Sequence, residues 1–355
     1  MSVSEVNKRE QNMEVIEENF DLSLKKKATP PGVSHFFGHG KLLLTGEYVV
    51  MEGAQALALP TMPGQSMSVR YEKSFSDPVL RWRSLDNKGH EWFSASYEFW
   101  NFNQVEGDDS AESRFLQKLL RQIRVQNKHF LRDEVDVHVE TKLGFPREWG
   151  LGSSSTLIYN LAQWGYVSPF ELLFKTSSGS GYDIACAQSD GPILYKNNNE
   201  GPIYSPVVFD PPFKENLFFV YLGQKQNTSN EIKNFKNLVK KDTERVGVQI
   251  TNITNEILKA SNVENFAEMI KQHESILSNY MNRPTLKDRL FSDFSGELKS
   301  LGAWGGDFAL VVARDSEKQV RKYFKAKGFD ICLRYIDVIS QDQQLNKQIS
   351  ERTIH

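Results

Sequence analysis

The sequence predicts an α+β protein of two domains. Three observations carry this: the length, a β-rich opening that leads into a strand, a glycine-rich loop and a helix, and a second half that mixes amphipathic helices with apolar strands. With 355 residues, 39% hydrophobic and 25% charged, the chain has the composition of a globular protein long enough for two packed cores. The formal charge is −2, with Lys and Arg dispersed along the chain, so the broad basic field that drives sequence-independent nucleic-acid binding is missing. Cys186 and Cys332 are far apart and have no CxxC or Cys/His spacing, which argues against a disulfide framework or a zinc site and fits a reducing cytoplasm. No apolar run approaches a membrane span, and the polar, acidic N-terminus does not resemble a secretory leader.

Residues 1–28, rich in Glu, Asn and Lys, read as a solvated polar arm with no assigned function. From Phe36 to Tyr71, glycine turns separate the apolar runs Lys41–Leu44, Glu47–Met51, Ala56–Leu59 and Ser66–Tyr71, which predict tightly joined strands. Phe115, Leu116, Leu119, Leu120 and Ile123 recur at helical spacing over 110–125, and Val135, Val137 and Val139 alternate as in a strand. A helix carrying Leu157, Ile158, Leu161 and Ala162 follows the loop after Pro146. Ser168-Pro169-Phe170-Glu171 has a capping-box pattern and opens a short helix that Ser177–Gly181 interrupts.

The Pro-rich stretch 206–212 marks a domain boundary near residue 212. Beyond it the pattern predicts a strand at Leu217–Leu222 and amphipathic helices on Ile232/Phe235/Leu238/Val239, Ile250/Ile253/Ile257 and Phe266/Met269/Ile270/Leu277. A strand at Phe308–Ala313, a helix through Val320 and Phe324, and a strand at Ile331–Val338 complete the chain.

Four segments carry chemistry. Pro146-Arg147-Glu148-Trp149-Gly150-Leu151-Gly152-Ser153-Ser154-Ser155 lies between a strand and a helix. Glycines there allow close backbone approach to a ligand, the unpaired N–H groups of the helix's first turn favour a polyphosphate, and serine hydroxyls add donors and can ligate Mg²⁺. The spacing is not that of a Walker A motif, so the accompanying cation has to come from elsewhere, and Lys41 in Gly38-His39-Gly40-Lys41 is the candidate. His39 and His273 have no ligand partners at metal spacing; they read as a turn residue and a core-edge residue. Asp183, in Gly179-Ser180-Gly181-Tyr182-Asp183-Ile184-Ala185, reads as a helix N-cap whose carboxylate can also orient or deprotonate a hydroxyl. Leu301-Gly302-Ala303-Trp304-Gly305-Gly306-Asp307-Phe308 forms a glycine-rich turn before a strand.

In this order and spacing, the four segments resemble the GHMP kinase superfamily from about Phe36 to Val338. Lys41 through Val49 matches its first motif and Pro146 to Ser154 its second. Gly302, Ala303, Gly305 and Gly306 match the third, with Trp304 in place of the middle glycine. Gly46-Glu47-Tyr48, Gly179–Asp183 and Gly305-Gly306-Asp307 look most like the mevalonate and phosphomevalonate kinase branch. The resemblance implies a ribosomal-S5-like N-terminal domain over 29–212 and a ferredoxin-like C-terminal domain over 213–345. It implies an ATP- and Mg²⁺-dependent kinase with Asp183 as catalytic base and Lys41 lowering the acceptor hydroxyl's pKa. Gly150, Leu151, Gly152, Ser153, Ser154, Ser155, Gly302, Gly305 and Gly306 would hold the nucleotide, Ser154 and Glu171 the metal, and Glu47, Tyr48 and Gly181 the acceptor. Arg70, Arg147 and Lys225 are candidate readers of an acceptor phosphate. The partner is then a small anionic molecule bearing a hydroxyl or phosphate, with no nucleic acid or membrane, and the chain is a monomer or homodimer. A decarboxylase of the diphosphomevalonate type and a catalytically silent sensor are the alternative functions.

Overall fold

The structure, a computed structural model, describes residue 20 and residues 32–75, 77–133, 135–198, 200–223, 242–302 and 306–341. The expected helix on Ile232 to Val239, all of the polar arm except Phe20, Lys225, and Ala303, Trp304 and Gly305 lie outside the described residues. The chain divides into two compact units, one from residues 1–40, 63–147 and 152–179, the other from 41–62, 148–151 and 180–355.

In the first unit, β1 (Val33–Leu43) pairs with β2 (Ala56–Lys73), and β3 (Val79–Leu85), β4 (Glu91–Glu98) and β5 (Gln104–Glu106) extend the sheet. Helix α1 (Ala111–Gln126) starts at Ser110, whose side chain accepts the Ser113 N–H, and buries Leu116, Leu119, Leu120 and Ile123. Strand β6 (Val135–Leu143) lies between β2, with Val69 opposite Val139 and antiparallel, and β3, with Trp82 opposite Val139 and parallel. Helices α2 (Ser153–Gly165) and α3 (Pro169–Thr176) follow.

Two expectations fail here for steric reasons. His39 was expected in a turn, yet it is buried inside β1, edge-on to Phe37 at 5.1 Å. Gly38 is needed because α2 packs on it: a Cβ would stand 3.3 Å from the Thr156 backbone. The runs Ala56–Leu59 and Ser66–Tyr71 are one strand of 18 residues, continuous through Pro60, Pro63 and Gly64. A Cβ on Gly64 would sit 2.2 Å from the Gly38 carbonyl, so this glycine permits strand contact and makes no turn.

In the second unit, α4 (Tyr182–Ala187) precedes the hairpin β7 (Ile193–Asn198) and β8 (Gly201–Pro206), and β7 pairs with the first residues of β2. Strand β9 (Leu217–Tyr221), helices α5 (Thr243–Ile257), α6 (Val263–Met281) and α7 (Leu286–Leu290), strands β10 (Glu297–Leu301) and β11 (Phe308–Val312), helix α8 (Glu317–Ala326), β12 (Cys332–Arg334) and the short α9 (Tyr335–Val338) complete it. The order β10-β11-β9-β12 is antiparallel throughout. One face of this sheet contributes Phe218, Val220, Ala309 and Val311 to a core closed by Phe291, Phe294, Val320 and Phe324. Two further expectations are corrected. Glu47–Met51 is not a strand but a turn and a short 3₁₀ segment, Val49–Glu52, and the strand expected at Ile331–Val338 ends at Arg334, where α9 begins.

Candidate functional site

The glycine loop is anchored by a residue that the motif passes over. Trp149 is buried, 5.6 Å from the Tyr221 ring and 5.3 Å from that of Phe308. From this anchor the backbone turns through Gly150 at φ 64, and the Leu151 carbonyl accepts the Lys41 N–H at 2.9 Å. The strand that carries the candidate lysine therefore grips the loop. A Cβ on Gly150 would stand 1.7 Å from Asp307 Oδ2, so only glycine lets the loop lie against that carboxylate. Gly152, at φ 94, is the N-cap of α2 and supplies no side-chain acceptor to the helix's first turn. Ser153 is half-buried, Ser154 exposed and Ser155 buried. Exposure of Ser154 leaves its hydroxyl accessible from water at the positive end of a 13-residue helix.

Asp183 does not cap α4, contrary to the sequence expectation. Gly181, buried and at φ 93, takes the cap position, and Asp183 follows in the first turn, where its negative charge suits the helix dipole. Before the cap, Tyr195 Oη donates to the Ser180 carbonyl and holds the turn. Tyr182 separates cap from aspartate, and the Lys41 Nζ stands over its ring at 5.7 Å. Burial, reinforced by Asp183, Cys186, Glu47 and Asp307, pushes the Tyr182 phenol well above its ordinary range, so it stays protonated. The buried Cys186 thiol is raised by burial and by Asp183, and is pulled the other way by Lys41. Both charges thus act on one small region of the second unit.

Glu47 is 4% exposed and takes the Lys299 ammonium at 2.5 Å. Burial raises its pKa to about 7, Lys299 opposing and Glu274 adding to the shift. Tyr48 is buried at φ 64 and packs with Val49, Ala54, Ile250 and Leu277. Gly302 follows β10 at φ 85, and the Gly306 N–H donates to Ser300 Oγ at 3.4 Å. Glu171 is exposed in the first turn of α3, where its N–H donates to the capping Ser168 Oγ at 3.3 Å. Arg70 pairs with Glu72 at 2.8 Å, and Arg147 stacks on Trp92 at 3.6 Å.

Sequence reasoning passed over Trp149, Tyr182 and Lys299, and used Asp307 only as part of a motif. His273, expected at a core edge, is wholly buried. The sequence around Lys299, Glu297-Leu298-Lys299-Ser300-Leu301, carries no signal that would have found it.

Among the described residues no three His, Cys, Asp or Glu side chains come together as a metal cage. A magnesium ion carried by phosphates needs only one or two protein oxygens, and the exposed Ser154 hydroxyl is of that chemistry. No described helix is long and apolar enough to cross a membrane, and both cysteines are free.

No protein-family model and no curated protein matches the sequence. Solved structures do match. Methanococcus jannaschii mevalonate kinase superposes with a TM-score of 0.62 at 17% identity, over 86% of this chain and 99% of that one. Streptococcus pneumoniae phosphomevalonate kinase in complex with phosphomevalonate and AMPPNP gives 0.62 at 17%, over 85% and 99%. Lactococcus lactis galactokinase complexed with galactose gives 0.60 at 15%, over 84% and 89%. Likeness at this level of identity establishes architecture, and the chain has the two-domain α+β fold of the GHMP kinases.

Proposed function

We propose that the protein is an ATP- and Mg²⁺-dependent small-molecule kinase whose acceptor is mevalonate or phosphomevalonate. The observation that carries this reading is the joining of three motifs in the second unit. The Lys41 backbone clamps the glycine loop at Leu151, and the Lys41 side chain stands over Tyr182, next to Asp183. Gly150, Leu151, Gly152, Ser153 and Ser155 bind the nucleotide phosphates through backbone N–H groups and hydroxyls, with Gly302, Gly305 and Gly306 as further nucleotide contacts. When bound, Mg²⁺ neutralises phosphate charge; Ser154 supplies an oxygen to it and Glu171 is the second candidate.

The acceptor oxygen attacks the γ-phosphorus as the bond to the bridging oxygen breaks, and ADP leaves with that oxygen and its electron pair. With a hydroxyl acceptor Asp183 orients it and takes its proton, which the Lys41 ammonium makes easier to lose; with a phosphate acceptor the attacking oxygen is already anionic and Lys41 offsets its charge. Tyr182, kept neutral, supports the lysine through its ring. Glu47, Tyr48 and Gly181 shape the acceptor's surroundings. The mevalonate branch is favoured by Gly46-Glu47-Tyr48 and Gly181-Tyr182-Asp183-Ile184 in the sequence, and by the mevalonate and phosphomevalonate kinases among the structural neighbours.

The test is ADP release by purified protein with mevalonate, phosphomevalonate, diphosphomevalonate, galactose and homoserine, with CO₂ release followed in parallel. Mevalonate or phosphomevalonate is expected to be the fastest acceptor. A tenfold preference for galactose or homoserine, about 1.4 kcal/mol of transition-state binding, would assign the chain to another branch, and CO₂ release would make it a decarboxylase.

A further inference from the structure

Lys299 projects from β10 into the second unit with no exposed surface. Its three N–H donors have three acceptors: Glu47 Oε1 at 2.5 Å, Glu274 Oε1 at 3.3 Å and the Ser300 carbonyl at 3.1 Å. Next to it, His273 Nε2 accepts the Gly46 N–H at 3.2 Å while Nδ1 faces Glu274 Oε1 at 3.5 Å. An imidazole that accepts on Nε2 is neutral and carries its proton on Nδ1. Both the backbone and the side chain of the Gly46-Glu47 turn are therefore held, one by α6 and the other by β10.

Stability alone does not account for this cluster. Two carboxylates share one ammonium next to a neutral ring, leaving a buried net negative charge where well-packed apolar residues serve stability as well or better. What the cluster does achieve is position. The turn it grips has an unfavoured backbone, Tyr48 at φ 64 and ψ −54 and Gly46 at φ 90, where a Cβ would meet Ala56 Cβ at 2.7 Å. The turn begins three residues beyond the end of β1, which carries Lys41, and Glu47 is felt by the Tyr182 phenol beside Asp183.

We infer that Lys299 is a positioning residue: with His273 it holds the Gly46–Tyr48 turn in the conformation that binds the acceptor. This rests on the kinase reading above. It also gives the turn a proton-sensitive latch. The groups facing Glu47 are Lys299 from β10, His273 and Glu274 from α6, and Tyr182 from α4. Among the described residues Glu47 Oε2 has no hydrogen-bond partner, and it lies 3.5 Å from His273 Nε2. Once protonated, Glu47 becomes a donor that competes with the Gly46 N–H for the single lone pair on Nε2. Acid relieves the buried charge and loosens the turn.

The experiment combines amide hydrogen exchange with kinetics, using ATP with mevalonate and with phosphomevalonate as acceptors. Lys299→Met is expected to speed exchange across residues 45–53 about tenfold or more relative to β11 and α1, and to raise acceptor KM by a similar factor with ATP KM nearly unchanged. Where Lys299→Met alone does not fold, Glu47→Gln/Lys299→Met removes both charges and is expected to show the same loosening. In the parent, exchange of 45–53, corrected for the intrinsic pH effect, should quicken between pH 8 and pH 6 with a parallel rise in acceptor KM, and Glu47→Gln should abolish both trends. Unchanged exchange in the turn, or equal changes in both KM values, overturns the proposal. A parent that releases no ADP with any of the acceptors defeats the kinase reading instead, while the exchange data still decide whether Lys299 holds the turn.

Discussion

Asp183 follows a glycine cap, so its carboxylate is not required to start α4. Asp183→Asn keeps the shape and gives up the charge's interaction with the helix dipole, about 0.3–1 kcal/mol of stability. If the carboxylate accepts the acceptor's proton, turnover should fall about 10²–10⁴-fold with ATP affinity kept, and Lys41→Met should be similarly damaging without multiplying the loss. Turnover of Asp183→Asn within about threefold of the parent would leave Asp183 a helix residue only. A second expectation at this scale concerns Gly150. A methyl there meets the Asp307 carboxylate at 1.7 Å on a backbone at φ 64, so Gly150→Ala should raise ATP KM about tenfold. Adding Asp307→Ala should recover part of that loss by making room; kinetics showing purely additive losses would mean that the carboxylate does not crowd the loop.

At the scale of elements, the loop's position depends on Trp149. Trp149→Ala should cost about 3–5 kcal/mol by cavity formation and raise ATP KM, whereas Trp149→Phe should keep most of both; denaturant unfolding beside ATP titration checks this. The same elements show how far the sequence could be read. Helix α1 was legible because its apolar residues keep helical spacing, and α3 because Ser168 announces its start. The hairpin β3–β4 passed unseen because its buried positions include Ser84, Ala95 and Ser96, which weaken the alternation. Gly38 and Gly64 read as turns because a sequence does not distinguish a glycine needed for positive φ from one needed for close packing. The loop, Lys41 and Asp183 were legible as local motifs. Lys299, Glu274 and His273 were not, because their meaning depends on Glu47, more than 200 positions earlier in the chain.

For the whole molecule, the buried cluster makes a prediction about stability against pH. The folded protein raises Glu47 from 4.5 to about 7, chiefly by burial. Between those values the folded state binds a proton that the unfolded chain lacks, so the Glu47 contribution is fully present below pH 4.5 and is lost as pH rises through 7. His273 has the opposite sign. Burial, and after it Lys299, lowers it from 6.5 to about 4, so its contribution is present above pH 6.5 and is lost as pH falls towards 4. Glu274, held below its ordinary value of 4.5 chiefly by Lys299 against the cost of burial, loses its contribution only under more acid conditions. From pH 4.5 to 6.5 the first two slopes oppose each other, since folding in effect moves one proton from His273 to Glu47. Glu47→Gln removes the falling branch and leaves the rising one. Urea unfolding of parent and Glu47→Gln at pH 5, 6 and 7 should therefore give profiles that diverge, the variant gaining relative to the parent by up to about 1.4 kcal/mol per pH unit. Groups elsewhere in the chain cancel in that difference. Parallel profiles would mean that Glu47 titrates alike in the folded and unfolded states, and that the proton is not held in the cluster.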